Sequence, residues 1–151
     1  MIKIICVGKI KESFFREAIQ EYQKRLSKYT KLEIIELPDY TNGNAQENKK
    51  KEALLIQKQI GPKDYVITLE IEGRAFSSEQ LAEKIDDLFQ NYSTITFVIG
   101  GSYGLDASIK EKSDLSLSFS KMTFPHQLFR ILLLEQIYRS YKIIHHESYH
   151  K

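Results

Sequence analysis

The chain has 151 residues, 42% hydrophobic and 28% charged, with a formal net charge of +2. That balance describes one soluble globular domain long enough for a real core. It excludes a membrane-spanning segment, because the densest apolar stretch, Ile131 to Leu134, is broken by Glu135 and Gln136, and a charge of +2 is too small to argue for nucleic acid without local basic patches.

Ile2 to Val7 reads as a first strand, ended by Gly8, with Lys9, Lys11 and Arg16 just beyond its carboxyl end. Cys6 lies between Ile5 and Val7, has no partner for an internal disulfide, and reads as a buried, inert thiol. The opening MIKIICVGK carries no small-residue cleavage site, so no signal peptide is expected and the location expected is cytoplasmic. From Ser13 the period changes to helical, with Phe15, Ile19, Tyr22, Leu26 and Tyr29 on one stripe. Leu32 to Leu37 is a second strand, stopped by Pro38-Asp39.

Gln46 to Gln59 predicts a charged helix with a narrow apolar stripe at Ala53, Leu54 and Ile56. Its Lys49-Lys50-Lys51 run reads either as a solvated face or as an RNA contact. Tyr65 to Ile71 is a third strand, and Ser77 or Ser78 caps a helix over Glu79 to Gln90. Thr94 to Ile99 is a mostly apolar fourth strand that ends at Gly100-Gly101, where a side chain would block close backbone approach. A short polar helix and a fifth strand, Leu115 to Ser120, follow; the loop Lys121 to His126 opens a last helix from Pro125 to about His145. Strands alternating with helices predict an α/β fold with a mainly parallel sheet flanked by helices.

The last helix carries apolar residues around most of its circumference, from Leu128 to Tyr141. One sheet buries one stripe, so the spread predicts either central burial or a second subunit, and a homodimer is the favoured reading.

Ligands of parallel α/β sheets bind outside the carboxyl ends of strands, which directs attention to Gly100 and to the loop before His126. The segment Gly100-Gly101-Ser102-Tyr103-Gly104 lacks the Lys-Ser ending of a P-loop and the spacing of a dinucleotide fingerprint. No G-x-S-x-G elbow is present. His145, His146 and His150 lack a cysteine or acid at convincing ligand spacing, so no metal is expected. His126 follows Pro125 at a helix start, where an uncharged imidazole can accept a hydrogen bond or a proton, or simply satisfy local backbone groups. Arg130, one turn later, suits either a phosphate or a carboxylate. The tail Glu147 to Lys151 reads as disordered or as a segment that folds over an RNA base, with Tyr149 stacking and Lys151 reaching phosphate.

The segments FVIGGSYGL and LSFSKMTFPHQLFRILLLEQIYRSYKI, the ending YHK and the opening IKIICVGKIKE resemble the SPOUT-class, α/β-knot family of ribosomal RNA large subunit methyltransferase H, over essentially the whole chain. The resemblance implies S-adenosylmethionine-dependent methylation of N3 of a pseudouridine in large-subunit rRNA on the assembled ribosome. It also implies a homodimer and a C-terminal trefoil knot, which periodicity does not reveal and topology rules disfavour. Carried over by position, Leu69, Gly100, Phe119, Ser120, Lys121, Met122, Thr123 and Phe124 would bind the cofactor, with Phe119 or Phe124 laying an aromatic face by the sulfonium or adenine. The catalytic candidates are His126, Arg130, Tyr149 and His150. A non-catalytic RNA- or ribosome-binding dimer of the same fold is the alternative; the intact Gly100-Gly101 and Ser120 to His126 segments weigh against it.

Overall fold

Alternation along the strands decides the layering. The computed structural model describes residues 1–151. Its strands are β1 (Ile2–Val7), β2 (Leu32–Leu37), β3 (Tyr65–Ala75), β4 (Ile95–Ile99) and β5 (Leu115–Ser118). They form one sheet in the order β2-β1-β4-β3-β5, every pairing parallel. The helices are α1 (Ser13–Leu26), α2 (Ala45–Gln59), α3 (Ser78–Leu88), α4 (Ala107–Lys112) and α5 (His126–Ile144). Successive strand side chains face opposite ways. Ile4 and Cys6 of β1 and Phe97 and Ile99 of β4 therefore pack with Leu81 and Ile85 of α3 and Leu133 and Ile137 of α5. Ile5, Val7 and Val98 face the other way, toward Ala53 and Ile56 of α2 and Ile109 of α4. Both faces are covered, as a parallel sheet requires, and the α/β fold predicted from the sequence is the one found.

The differences are local and have physical causes. β3 runs on to Ala75 instead of ending at Ile71, because Leu69 and Arg74 both pair with Leu117 and residues 70–73 bulge out. Gly73 forms the neck of that bulge; a Cβ there would lie 2.8 Å from the Leu117 and Ser116 backbones. β5 stops at Ser118, two residues short of Ser120. α3 begins at Ser78 under a capping box between Ser77 and Gln80 and ends at Leu88. α2 begins at Ala45, with the Asn44 side chain accepting from the amides of Gln46 and Glu47. Its buried face is Asn48, Glu52, Ala53 and Ile56, while Leu54 is 61% exposed. Residues four apart share a helix face, so 48, 52 and 56 turn inward together and Leu54 turns out.

Two buried polar clamps join distant parts of the chain. Asp64 accepts from the Gly61 amide at 2.9 Å, Thr96 Oγ1 at 2.8 Å and Lys3 Nζ at 3.0 Å. Arg130 of α5 donates to Glu36 Oε2 at 2.5 Å and to the Gly8 carbonyl at 3.1 Å. Cys6 is buried, and burial pushes its thiol up to about 11.

Candidate functional site

A cavity of about 330 Å³ opens at the carboxyl ends of β3, β4 and β5, a size within the usual range of ligand pockets, roughly 300–1,000 Å³. Three backbone devices build it. The first is the β3 bulge, which supplies Leu69, Glu70, Ile71 and Glu72. The second is the turn after β4, from Gly100 to Leu105, closed by a Gly101–Gly104 bridge with the Gly104 amide 3.0 Å from the Gly101 carbonyl. Gly104 sits at φ +80, and a Cβ on Gly100 would lie 2.8 Å from the Gly104 carbonyl carbon. Both positions therefore need glycine, for conformation and for space respectively. The third is the loop after β5, where Ser118 Oγ donates to the Ser120 carbonyl at 3.2 Å and the Met122 amide to Ser120 Oγ at 3.0 Å. These bonds bend the loop on itself and turn Phe119, Ser120, Met122, Thr123 and Phe124 to the cavity. Phe129 of α5 closes the back, with its ring centroid 4.9 Å from that of Phe119 and 6.1 Å from that of Phe124.

Polar side chains line it too, Glu70, Glu72, Lys110 and His126 among them. Glu70 accepts from Thr68 Oγ1 at 2.7 Å and from Ser116 Oγ at 2.6 Å, and lies 3.7 Å from Lys110 Nζ. Two carboxylates against one lysine oppose a polyphosphate, and the hydroxyls and aromatic faces beside them fit an adenosine-bearing ligand better.

Comparison with known proteins accords with that geometry. The family described as "Predicted SPOUT methyltransferase" matches residues 1–150. The chain belongs to the SPOUT methyltransferase family. The SPOUT chain is 52% identical to "Ribosomal RNA large subunit methyltransferase H" of Clostridium botulinum and 49% identical to the protein so named in Streptococcus suis. Each match covers 99% of both chains.

The structure distributes the residues predicted for the site of this SPOUT chain unevenly. Leu69, Gly100, Phe119, Ser120, Met122, Thr123 and Phe124 line the cavity, and Lys121 in the same loop points to solvent without lining it. Of the four catalytic candidates only His126, the first residue of α5, lines the cavity. The sequence leaves Arg130 between a phosphate and a carboxylate; the structure places it in the carboxylate pair with Glu36, 2% exposed and away from the cavity lining.

Tyr149 and His150 are not free either. α5 ends in a Schellman motif, with the His146 amide bonded to the Ile143 carbonyl and the Glu147 amide to that of Lys142, and with His146 at φ 54. This reverses the chain along its own helix. Tyr149 donates to Glu135 Oε2 at 2.9 Å, and His150 is held between Glu79 at 2.5 Å and Arg139 at 3.1 Å. The sequence left the tail either disordered or folded over an RNA base; in the structure it is ordered, folded onto α5 and α3 of its own chain. His145 instead packs beside Tyr29 and Tyr141, and no three potential metal ligands converge.

Glu70, Ile71 and Lys110 line the cavity without a signal in the sequence. Only the bulge in β3 could have drawn Glu70 and Ile71 in, and Gly73 is its sole local mark.

Proposed function

We propose that the protein is an S-adenosylmethionine-dependent methyltransferase acting on N3 of a pseudouridine in large-subunit rRNA, on the assembled ribosome, and that it works as a homodimer with the knotted C-terminal topology of its family. The observation that carries the reading is the glycine-closed turn and bent aromatic loop facing each other across one cavity at the carboxyl ends of β3, β4 and β5. The names of the relatives, which specify ribosomal RNA, support the substrate class.

When bound, S-adenosylmethionine supplies an electrophilic methyl group and leaves as a neutral thioether. Leu69, Gly100 and the loop from Phe119 to Phe124 would hold it, Lys121 through its backbone. Phe119 and Phe124 offer ring faces to a sulfonium or an adenine. The chain's remaining tasks are to orient the base and to take the N3 proton. His126 lines the cavity and is the acceptor within one subunit. Arg130 acts through Glu36 and Gly8 as a positioning residue, pinning the first turn of α5 and so His126. Tyr149 and His150 lie outside their own subunit's cavity, so their part in the reaction is played at the cavity of the partner subunit. Lys9, Lys11 and Arg16, with Lys49 to Lys51, contact phosphates that position the RNA without reading it.

The test uses labelled S-adenosylmethionine and ribosomes from a strain lacking the modification. Label in the large-subunit rRNA, mapped to N3 of a pseudouridine, is the expected result; cofactor binding without label in rRNA overturns the substrate assignment. A second arm mixes Gly100→Arg with Tyr149→Ala, each inactive alone. Regained activity in the mixed dimer is expected, and its absence with intact dimers overturns action across the interface.

A further inference from the structure

The turn after β4 stands on two buried feet, Gly101 and Leu105, with Ser102, Tyr103 and Gly104 exposed between them. Leu105 is anchored among apolar side chains, Val98, Ala53 and Ile109 included. Gly101 has no side chain to anchor. It rests instead against the carboxyl group of Glu52, a 3% exposed residue on the buried face of α2. We propose that Glu52 is a positioning residue: from behind the turn it fixes Gly101, and so sets the cavity wall that faces the loop after β5. The proposal rests on the methyltransferase reading only for the identity of the ligand that meets this wall.

The geometry is a brace between two loops. A Cβ on Gly101 would lie 3.1 Å from Glu52 Oε1, 3.1 Å from Val7 Cγ1 and 3.4 Å from Asp39 Oδ1. The other carboxyl oxygen of Glu52, Oε2, accepts from the Tyr40 amide at 3.4 Å. One side chain thus meets the cavity turn with one oxygen and the loop after β2 with the other. Topology makes the gap that it fills. β1 and β4 are neighbours in the sheet, but α1 packs on one face and α4 on the other, so the chain leaves their carboxyl ends in opposite directions.

Stability alone does not account for a carboxyl in this place. Glu52 has a single hydrogen bond, and Asn48, one turn earlier on the same buried face, leaves its Nδ2 unpaired. Burial pushes the Glu52 carboxyl above its ordinary range, so the ionised form costs the fold. Farther along α2 the buried residues are Ala53 and Ile56. The buried face therefore changes from apolar to polar where it reaches the cavity turn, and a local rule broken at a cost in stability marks a functional position.

The test uses the full chain and two substitutions. Glu52→Gln keeps the shape and the acceptor, whereas Glu52→Leu keeps the bulk and removes both oxygens. The first readout is hydrogen exchange of the Gly104 amide, which is bonded to the Gly101 carbonyl at 3.0 Å. The second is calorimetry with S-adenosylmethionine. Glu52→Leu is expected to speed exchange and weaken binding, each about tenfold, without lowering the melting temperature at pH 8. Glu52→Gln should leave both within about twofold of wild type. A folded Glu52→Leu that keeps wild-type exchange and affinity overturns the proposal, and so does Glu52→Gln that loses as much as Glu52→Leu. A third arm does not depend on how leucine packs. Glu52→Ala frees space beside Gly101, so Gly101→Ala should cost less affinity in that background than in wild type; an equal cost in both overturns the proposal. Wild type that does not bind S-adenosylmethionine overturns the methyltransferase reading, and the exchange of Gly104 then decides the role of Glu52 by itself.

Discussion

Arg130 and Glu36 lie 94 residues apart and meet at 2.5 Å, joining the first turns of α5 to the carboxyl end of β2. The guanidinium is 2% exposed and also donates to the Gly8 carbonyl at the end of β1; Glu36 in addition accepts the Ile10 amide at 3.0 Å. Glu36→Ala would leave a buried cation with one carbonyl partner. Loss of one member of such a pair costs about 3 kcal/mol, at the low end of its range because Glu36 itself is partly exposed. Urea unfolding is expected to show that loss. Glu36→Gln, which keeps an acceptor, should recover part of it.

The three glycines of the turn after β4 should fail differently. Gly100→Ala sets a Cβ against backbone, 2.8 Å from Gly104, which cannot give way. Gly101→Ala meets two side-chain atoms, Glu52 Oε1 and Val7 Cγ1, each at 3.1 Å. Gly104→Ala has open space but holds φ +80, a strain of about 1 kcal/mol. Calorimetry with S-adenosylmethionine should show at least a tenfold loss for Gly100→Ala and a smaller one for Gly101→Ala. Gly104→Ala should lower the melting temperature by a few degrees.

Two buried carboxylates make opposite predictions about pH. Burial opposes ionisation of Asp64, yet the Gly61 amide, Thr96 hydroxyl and Lys3 ammonium together hold its carboxyl below the ordinary 3.8. Its stabilisation is therefore complete above pH 3.8 and lost as pH falls through the lowered native value. Asp64→Asn should be less stable than wild type at pH 7, by about 3 kcal/mol, with the gap closing below pH 3.8.

Glu52 is the reverse case. Burial, helped by Asp39 and opposed by the Tyr40 amide, pushes its carboxyl above the ordinary 4.5. The native state then holds the proton longer than the unfolded chain, so wild type loses stability as pH rises from 4.5 through the raised value. Glu52→Gln should match wild type near pH 4 and exceed it at pH 8 in thermal melts.

His146 occupies the left-handed position that glycine favours at the end of a helix. His146→Gly should stabilise the fold by about 1 kcal/mol, read from the urea midpoint. The bonds of Tyr149 and His150 are to other residues, Glu135, Glu79 and Arg139, so methyl transfer should be unchanged.

The elements were legible because their causes are local. Apolar alternation in Ile2 to Val7 and Ile95 to Ile99, the helical stripe from Phe15 to Tyr29, the caps at Ser77 and Pro125, and the glycines after β4 act within a few residues of each other. The strand-end rule pointed to Gly100 and the loop before His126, and resemblance alone added Leu69 and the individual loop positions. What tertiary structure decided are the meetings of residues far apart in the chain: Arg130 with Glu36, His150 with Glu79, and the β3 bulge set by its register against β5. A guanidinium carries the same charge whether it meets a phosphate or a carboxylate, and a tail of Tyr, His and Lys reads the same free or folded. Only the packing that brings a particular partner within 3 Å, and removes the water that would otherwise take its place, makes the choice.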